Sequence, residues 1–218
     1  MPRVVLFDLD GTLVDSAPDL AGAGNDMRLQ RGLPALPYEA LRPMVGSGAR
    51  GMVGAAFNVT PADPVFAALR DEFLARYEAR LTRESRIFDA VLPVLDALDA
   101  NAIRWGIVTN KVERYTQPIV QTLGLASRAA VVISGDSTPH AKPHPAPLLE
   151  AARRLDAAAG DCVYVGDDMR DVQAGRAAGM TTIAAAWGYL GLSEPIAAWN
   201  ADAVIESPGE LLQWLSMP

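Results

Sequence analysis

The chain has 218 residues, about half of them apolar, so it can bury a proper core as one large domain or as one domain carrying an insertion. Its formal charge of -7 offers no basic footprint to a nucleic-acid backbone, which leaves a small molecule as the expected partner. The lone Cys162 rules out an internal disulfide, no apolar stretch reaches the roughly 18 residues of a membrane span, and the start has no signal-peptide pattern, so the expected location is cytoplasmic.

The first element is a β-branched run at Val4 to Phe7, followed by Asp8, Asp10, Gly11 and Thr12 in "FDLDGT". From Ser16 to Ser85, roughly seventy residues, no strand pattern appears. Helical patterns do appear, at Leu20, Ala23, Met27 and at Phe66, Leu69, Phe73, Tyr77, Leu81, with prolines punctuating the segment. This predicts an inserted helical domain at 16–85, with the core made of 1–15 and 86–218. Five further short runs follow: Trp105 to Thr109, Ala130 to Ile133, Cys162 to Val165, Thr181 to Ala184, and a weaker one at Ala203 to Ile205. Most are apolar on both faces and alternate with helical patterns around Val91, Tyr115, Leu148 and Val172, the last stopped by Gly179. The pattern predicts an α/β fold with a doubly wound, Rossmann-like parallel sheet.

The strand ends carry the chemistry. Residues i and i+2 of a strand point the same way, so Asp8 and Asp10 are expected to project together from the carboxyl end of the first strand, where open α/β sheets bind ligands. Two unit charges about 6 Å apart at an effective dielectric near 20 repel by roughly 3 kcal/mol, which a hard divalent ion would offset. Gly11 permits a sharp turn, and Thr12 offers a hydroxyl and an amide to an anion. The second strand ends in Thr109 and Asn110, Lys142 sits between prolines after the third, and the fourth runs into Asp167, Asp168 and Asp171. Helix capping explains one of those three acids easily and all three poorly. Carboxylates for magnesium and donors for a phosphoryl group on one sheet edge are what phosphoryl transfer requires.

Taken in order, "DLDGT", Thr109 in "VTN", Lys142 and "GDDMRD" resemble the four motifs of the haloacid dehalogenase-like phosphatase superfamily, and the inserted helices match the position of that family's small helical cap. Within the superfamily the chain is similar to bacterial phosphoglycolate phosphatases. Its stretches "RGLPAL", "GARGMV", "WGIVTNK" and "VGDDMRDVQAGRAAGM" are also similar to N-acetylmuramic acid 6-phosphate phosphatases. The resemblance implies a Mg2+-dependent phosphomonoesterase in which Asp8 attacks phosphorus and Asp10 serves as acid and base. Asp8, the Asp10 carbonyl and Asp167 would hold the metal, while Thr109, Asn110 and Lys142 would bind the phosphoryl group. Asp171 would support them from behind the metal ligands, and Asp168 is open between that role and helix capping.

"GSGARG" at 46–51 matches a dinucleotide fingerprint literally but follows no strand. It is expected instead to be a loop of the cap whose amides, with Arg42 or Arg50, meet the non-phosphate part of the substrate. His140 and His144 are poor magnesium ligands. A phosphomutase built on the same motifs is the alternative reading. A receiver domain is disfavoured by length and by the insertion, and dehalogenation by Asp10, since a halide leaves without a proton. Oligomeric state is not legible.

Overall fold

The computed structural model describes residues 4–191 and 194–216. Its strands are β1 (Val4–Phe7), β2 (Val14–Asp15), β3 (Arg86–Ile87), β4 (Arg104–Val108), β5 (Val131–Ile133), β6 (Cys162–Gly166), β7 (Thr181–Ala185) and β8 (Ala203–Ile205). Six of them form one parallel sheet in the order β5-β4-β1-β6-β7-β8. The chain winds outward from β1 to β4 and β5, then crosses back to β6 on the other side of β1. The winding therefore reverses between β1 and β6, and ligands of such sheets bind at this reversal.

Side chains of the central strands alternate between two apolar layers, as period-2 geometry demands. Val4, Leu6, Cys162 and Tyr164 face a layer completed by Leu148 and Ala151 of α7 (Ala146–Arg154) and Ala174 of α8 (Met169–Ala178). Val5, Phe7, Trp105, Ile107, Val163 and Val165 face the other layer. There they meet Val94 and Leu98 of α5 (Leu92–Ala100), Ile119 of α6 (Glu113–Thr122) and Leu211 of α9 (Glu210–Trp214). Coverage on both faces explains why these strands read as continuous apolar runs.

Between β2 and β3 lie α1 (Ala17–Gln30), α2 (Tyr38–Leu41), a 3-10 segment Arg42–Ser47, α3 (Gly48–Phe57) and α4 (Phe66–Glu78). Leu20, Met27, Met52, Phe73 and Tyr77 of these helices join the second apolar layer. The two chain crossings into this helical insertion pair as an antiparallel ribbon, Val14 with Ile87 and Asp15 with Arg86. Asp19, fully buried at the start of α1, fastens the crossings from inside. Its carboxylate accepts from the Glu84 and Ser85 amides at 3.0 and 2.8 Å and from the Ser85 hydroxyl at 2.7 Å.

Two departures from the sequence reading matter for the site. β1 stops at Phe7, so Asp8 and Asp10 lie beyond the strand, on a tight turn closed by the Gly11 amide donating to the Val14 carbonyl at 2.9 Å. The "GSGARG" segment is not a loop: it spans the end of the 3-10 segment and the first turn of α3. Its glycines weaken intrinsic helix propensity. Met52, Val53 and Ala56 bury the inner face of α3 and hold it helical nonetheless.

Candidate active site

The carboxyl ends of β1, β4 and β6 and the loop after β5 converge on a cavity of about 390 Å³ whose walls include Asp8, Asp10, Thr109, Asn110, Lys142 and Asp167. The parallel ladder carries past the strands to place them. The Asp8 amide donates to the Val165 carbonyl and the Thr109 amide to the Ile133 carbonyl, each at 2.9 Å.

At the centre is Lys142, whose side chain is 2 % exposed. Its ammonium lies 2.8 Å from Asp8 Oδ1, 2.7 Å from Asp171 Oδ1, 2.9 Å from the Val108 carbonyl and 2.7 Å from the Tyr164 hydroxyl. The Lys142 backbone is held in turn by Asn110, whose side-chain amide donates to the Lys142 carbonyl and accepts from the Lys142 amide, both at 2.9 Å. The Asn110 side chain thus fastens the lysine loop, and its backbone N–H has no part in these two bonds. Thr109 Oγ accepts from the Lys111 amide at 3.1 Å and keeps its own hydrogen for another acceptor.

Asp8, Asp167 and Asp171 each bring a carboxylate oxygen within 4.8 Å of the others. Burial drives the Asp8 carboxyl up to about 7, Lys142 opposes this, and Asp171 and Asp10 add to it. Asp167 is raised well above the ordinary carboxylate range, first by burial and then by Asp8 and Asp171. Three crowded acids facing one ammonium make a hard, anionic oxygen set with charge to spare, and this suits a hard divalent cation.

Glycines shape this pocket. A Cβ on Gly11, whose φ is +86°, would come 2.2 Å from Asp167 Oδ2, and one on Gly188 would come 2.1 Å from the Asp167 Cβ. Asp167 is clamped from both sides, by the Thr12 hydroxyl on Oδ1 at 2.7 Å and the Tyr189 amide on Oδ2 at 2.8 Å. Thr12 is fully buried, so its hydroxyl serves the carboxylate and not an incoming anion, contrary to expectation. Asp168 caps α8, accepting from the Arg170 amide at 2.9 Å and pairing with the Arg170 guanidinium at 2.7 Å. Burial pushes the Asp168 carboxyl up, but Arg170 outweighs it and holds the group below its ordinary value. Asp171 closes the capping box through the Asp168 amide while reaching Lys142.

Asp10 does not stand beside Asp8 on a strand face as expected. Its Oδ1 accepts from the Ser16 hydroxyl at 2.5 Å and lies 3.0 Å from the Lys111 ammonium. The two N-terminal acids thus line one cavity with separate ammonium partners, Lys142 for Asp8 and Lys111 for Asp10, although Asp10 still adds to the rise of the Asp8 carboxyl. Lys111 was not singled out by the sequence reading, although it directly follows Asn110; nor were Tyr164 and Tyr189. Arg42 and Arg50 do not line the cavity. Arg42 lies 5.0 Å from the Tyr189 ring centroid and donates to the Trp187 carbonyl at 3.1 Å, and Arg50 is exposed on α3. The wall opposite the acids comes instead from the insertion, including Leu20, Val45, Ser47, Phe73 and Tyr77.

A family model described as haloacid dehalogenase-like hydrolase matches residues 5–185. The chain belongs to the haloacid dehalogenase-like hydrolase family. Within it, the chain is 49% identical over its full length, and 98% of the relative's, to a phosphoglycolate phosphatase of Xanthomonas campestris pv. campestris. It is 41% identical to an N-acetylmuramic acid 6-phosphate phosphatase of Pseudomonas putida, over 96% of this chain and 94% of that one. The crystal structure of a predicted phosphoglycolate phosphatase from Haemophilus somnus superposes with a TM-score of 0.84 at 28% identity, covering 98% of this chain and 97% of that chain. These relatives make this member of the haloacid dehalogenase-like family a phosphatase.

Proposed function

We propose that the chain is a Mg2+-dependent phosphomonoesterase that hydrolyses a small phosphorylated metabolite, 2-phosphoglycolate or N-acetylmuramic acid 6-phosphate, through an aspartyl phosphate on Asp8. The observation that carries the reading is the buried Lys142 ammonium bridging Asp8 and Asp171 beside Asp167. This arrangement supplies a nucleophile, a fixed cation and a spare anionic pocket for a metal within one cavity. The names of the two relatives supply the two candidate substrates.

Lys142 occupies Asp8 Oδ1, and Oδ2 has no protein partner among the described residues, which suits it to attack phosphorus in line. The new Asp8–phosphorus bond forms as the ester P–O bond breaks. Asp10 gives the departing alkoxide a proton, then takes one from the water that attacks the aspartyl phosphate, returning Asp8 and releasing orthophosphate. Thr109 Oγ–H, the Asn110 N–H and Lys142 meet the charge spreading over the phosphoryl oxygens. The Asp8 carboxylate, the Asp10 carbonyl and Asp167 would hold Mg2+, which when bound would neutralise phosphoryl charge.

Residues 16–85 would act as a cap that meets the organic part of the ester, over a core of 1–15 and 86–218. We place the reaction in the cytoplasm, with no nucleic-acid or membrane partner; no helix among the described residues is long and apolar enough to cross a bilayer. Phosphate release from both esters, with and without Mg2+ and in Asp8→Asn, tests the proposal. Metal-dependent release lost in the variant is expected. A product carrying the phosphate on a new position, without free orthophosphate, would favour a mutase instead.

A further inference from the structure

Asp10 is held on one oxygen by two donors. Ser16 Oγ lies 2.5 Å and Lys111 Nζ 3.0 Å from Oδ1, and Oδ2 has no protein partner among the described residues. A carboxylate pinned through one oxygen cannot rotate freely about its bond to the β-carbon, so the other oxygen is presented in one orientation. The Lys111 side chain is 8 % exposed, and the chain on either side of it is anchored. Its amide donates to Thr109 Oγ at 3.1 Å, and its carbonyl accepts from the Thr116 hydroxyl at 2.9 Å.

The ammonium has a second partner from across the cavity. Lys111 Nζ donates to the Tyr77 hydroxyl at 2.6 Å. Tyr77 belongs to α4 of the helical insertion, and its ring is set by packing, edge-on to Tyr115 of α6 at 5.6 Å and stacked on Phe73 at 6.4 Å. The hydroxyl is therefore a fixed feature of the insertion only while α4 rests on the core. One chain of contacts runs from the insertion through a core lysine to a core carboxylate.

We propose that Lys111, steadied by Tyr77, is a positioning residue that orients Asp10 for protonating the leaving oxygen, so that seating of the insertion sets the acid. This rests on the phosphatase reading above. The competing role for a cavity lysine is to pair with an anionic group on the substrate.

Leaving-group chemistry separates the two. An alkyl ester needs a proton on its departing oxygen, whereas p-nitrophenolate leaves without one. For a reaction through an aspartyl phosphate, kcat/KM covers only the steps up to departure of the alcohol. Wild type, Lys111→Met and Tyr77→Phe are assayed with Mg2+ on p-nitrophenyl phosphate and on 2-phosphoglycolate and N-acetylmuramic acid 6-phosphate. Part of the 10²–10⁴-fold that positioned acids contribute should be lost, so Lys111→Met should lower kcat/KM on the alkyl ester about 30-fold and Tyr77→Phe about 5-fold. On p-nitrophenyl phosphate, kcat/KM should stay within about 3-fold of wild type while kcat and KM fall together, because water attack still needs Asp10 as base. Retained p-nitrophenyl phosphate turnover also reports that the variants fold.

Equal loss of kcat/KM on aryl and alkyl esters would overturn the inference, as would a rise in KM for the anionic alkyl esters with kcat unchanged. If the wild-type protein turns over no ester at all, the phosphatase reading itself fails, and this inference fails with it.

Discussion

Replacing Asp8 by Asn should stabilise the metal-free protein by more at pH 8 than at pH 5. Oxygens of Asp8, Asp167 and Asp171 lie within 4.8 Å of one another, and at an effective dielectric near 20 each ionised pair repels by about 3 kcal/mol. Lys142 is the ammonium that touches two of the three. Burial therefore raises the Asp8 carboxyl from 3.8 to about 7. A carboxyl whose folded pKa lies above its unfolded one binds its proton more tightly in the folded state. Its contribution to stability is complete below pH 3.8 and is lost as pH rises through 7.

Two units of that window lie between pH 5 and pH 7, and at about 1.4 kcal/mol per unit the ionising Asp8 costs the fold roughly 2–3 kcal/mol there. Asn cannot ionise and escapes this loss. For a chain of this length, the advantage of Asp8→Asn over wild type should grow by about 5–10 °C in Tm between pH 5 and pH 8. Thermal unfolding in a chelating buffer measures it. A saturating divalent ion should then raise the wild-type Tm at pH 8 more than that of Asp8→Asn, since the variant has lost a ligand. A difference between variant and wild type that is the same at both pH values would refute the electrostatic account of the cluster.

Other changes probe the supports. Gly11→Ala puts a Cβ 2.2 Å from Asp167 Oδ2 at a φ of +86°, and should weaken Mg2+ affinity at least about 10-fold by calorimetric titration, since Asp167 must move. An unchanged affinity would mean Asp167 is not a ligand. Asp19→Ala leaves the Glu84 and Ser85 amides and the Ser85 hydroxyl without their acceptor, at a cost of about 3–4 kcal/mol, read as a Tm lower by about 6–15 °C. A shift under about 2 °C would show that the ribbon does not depend on it. Lys142→Met should reduce phosphate release by about 10³-fold or more, because the group that balances Asp8 and the phosphoryl charge is gone. Activity within about 10-fold of wild type would remove Lys142 from the mechanism.

Elements whose character is set by neighbours in sequence were readable from it. β1, β4, β6 and β7 announce themselves as β-branched runs because both of their faces are covered, and Asp8 and Asp167 fall where β1 and β6 end, while Lys142 lies between prolines in the loop after β5. Contacts between distant segments were not readable. That Thr12 serves Asp167 depends on a fold that joins positions 155 residues apart. The pairing of Lys111 with Tyr77 spans 34 residues and a crossing from core to insertion. Period-2 reasoning misled for Asp10 because β1 ends at Phe7, and beyond a strand's last residue the alternation of faces no longer holds. α3 escaped notice because its glycines hide a helix that Met52, Val53 and Ala56 stabilise only against the other helices.

The central claim is that Asp8 becomes covalently phosphorylated. Rapid acid quenching of the Mg2+-loaded protein during turnover of a phosphate ester, followed by peptide mass analysis, tests it directly. The account predicts one phosphoryl group on the peptide that carries Asp8, absent without Mg2+ and absent in Asp8→Asn. Steady phosphate release with no modification of that peptide, or with the phosphoryl group on any other residue, would contradict it.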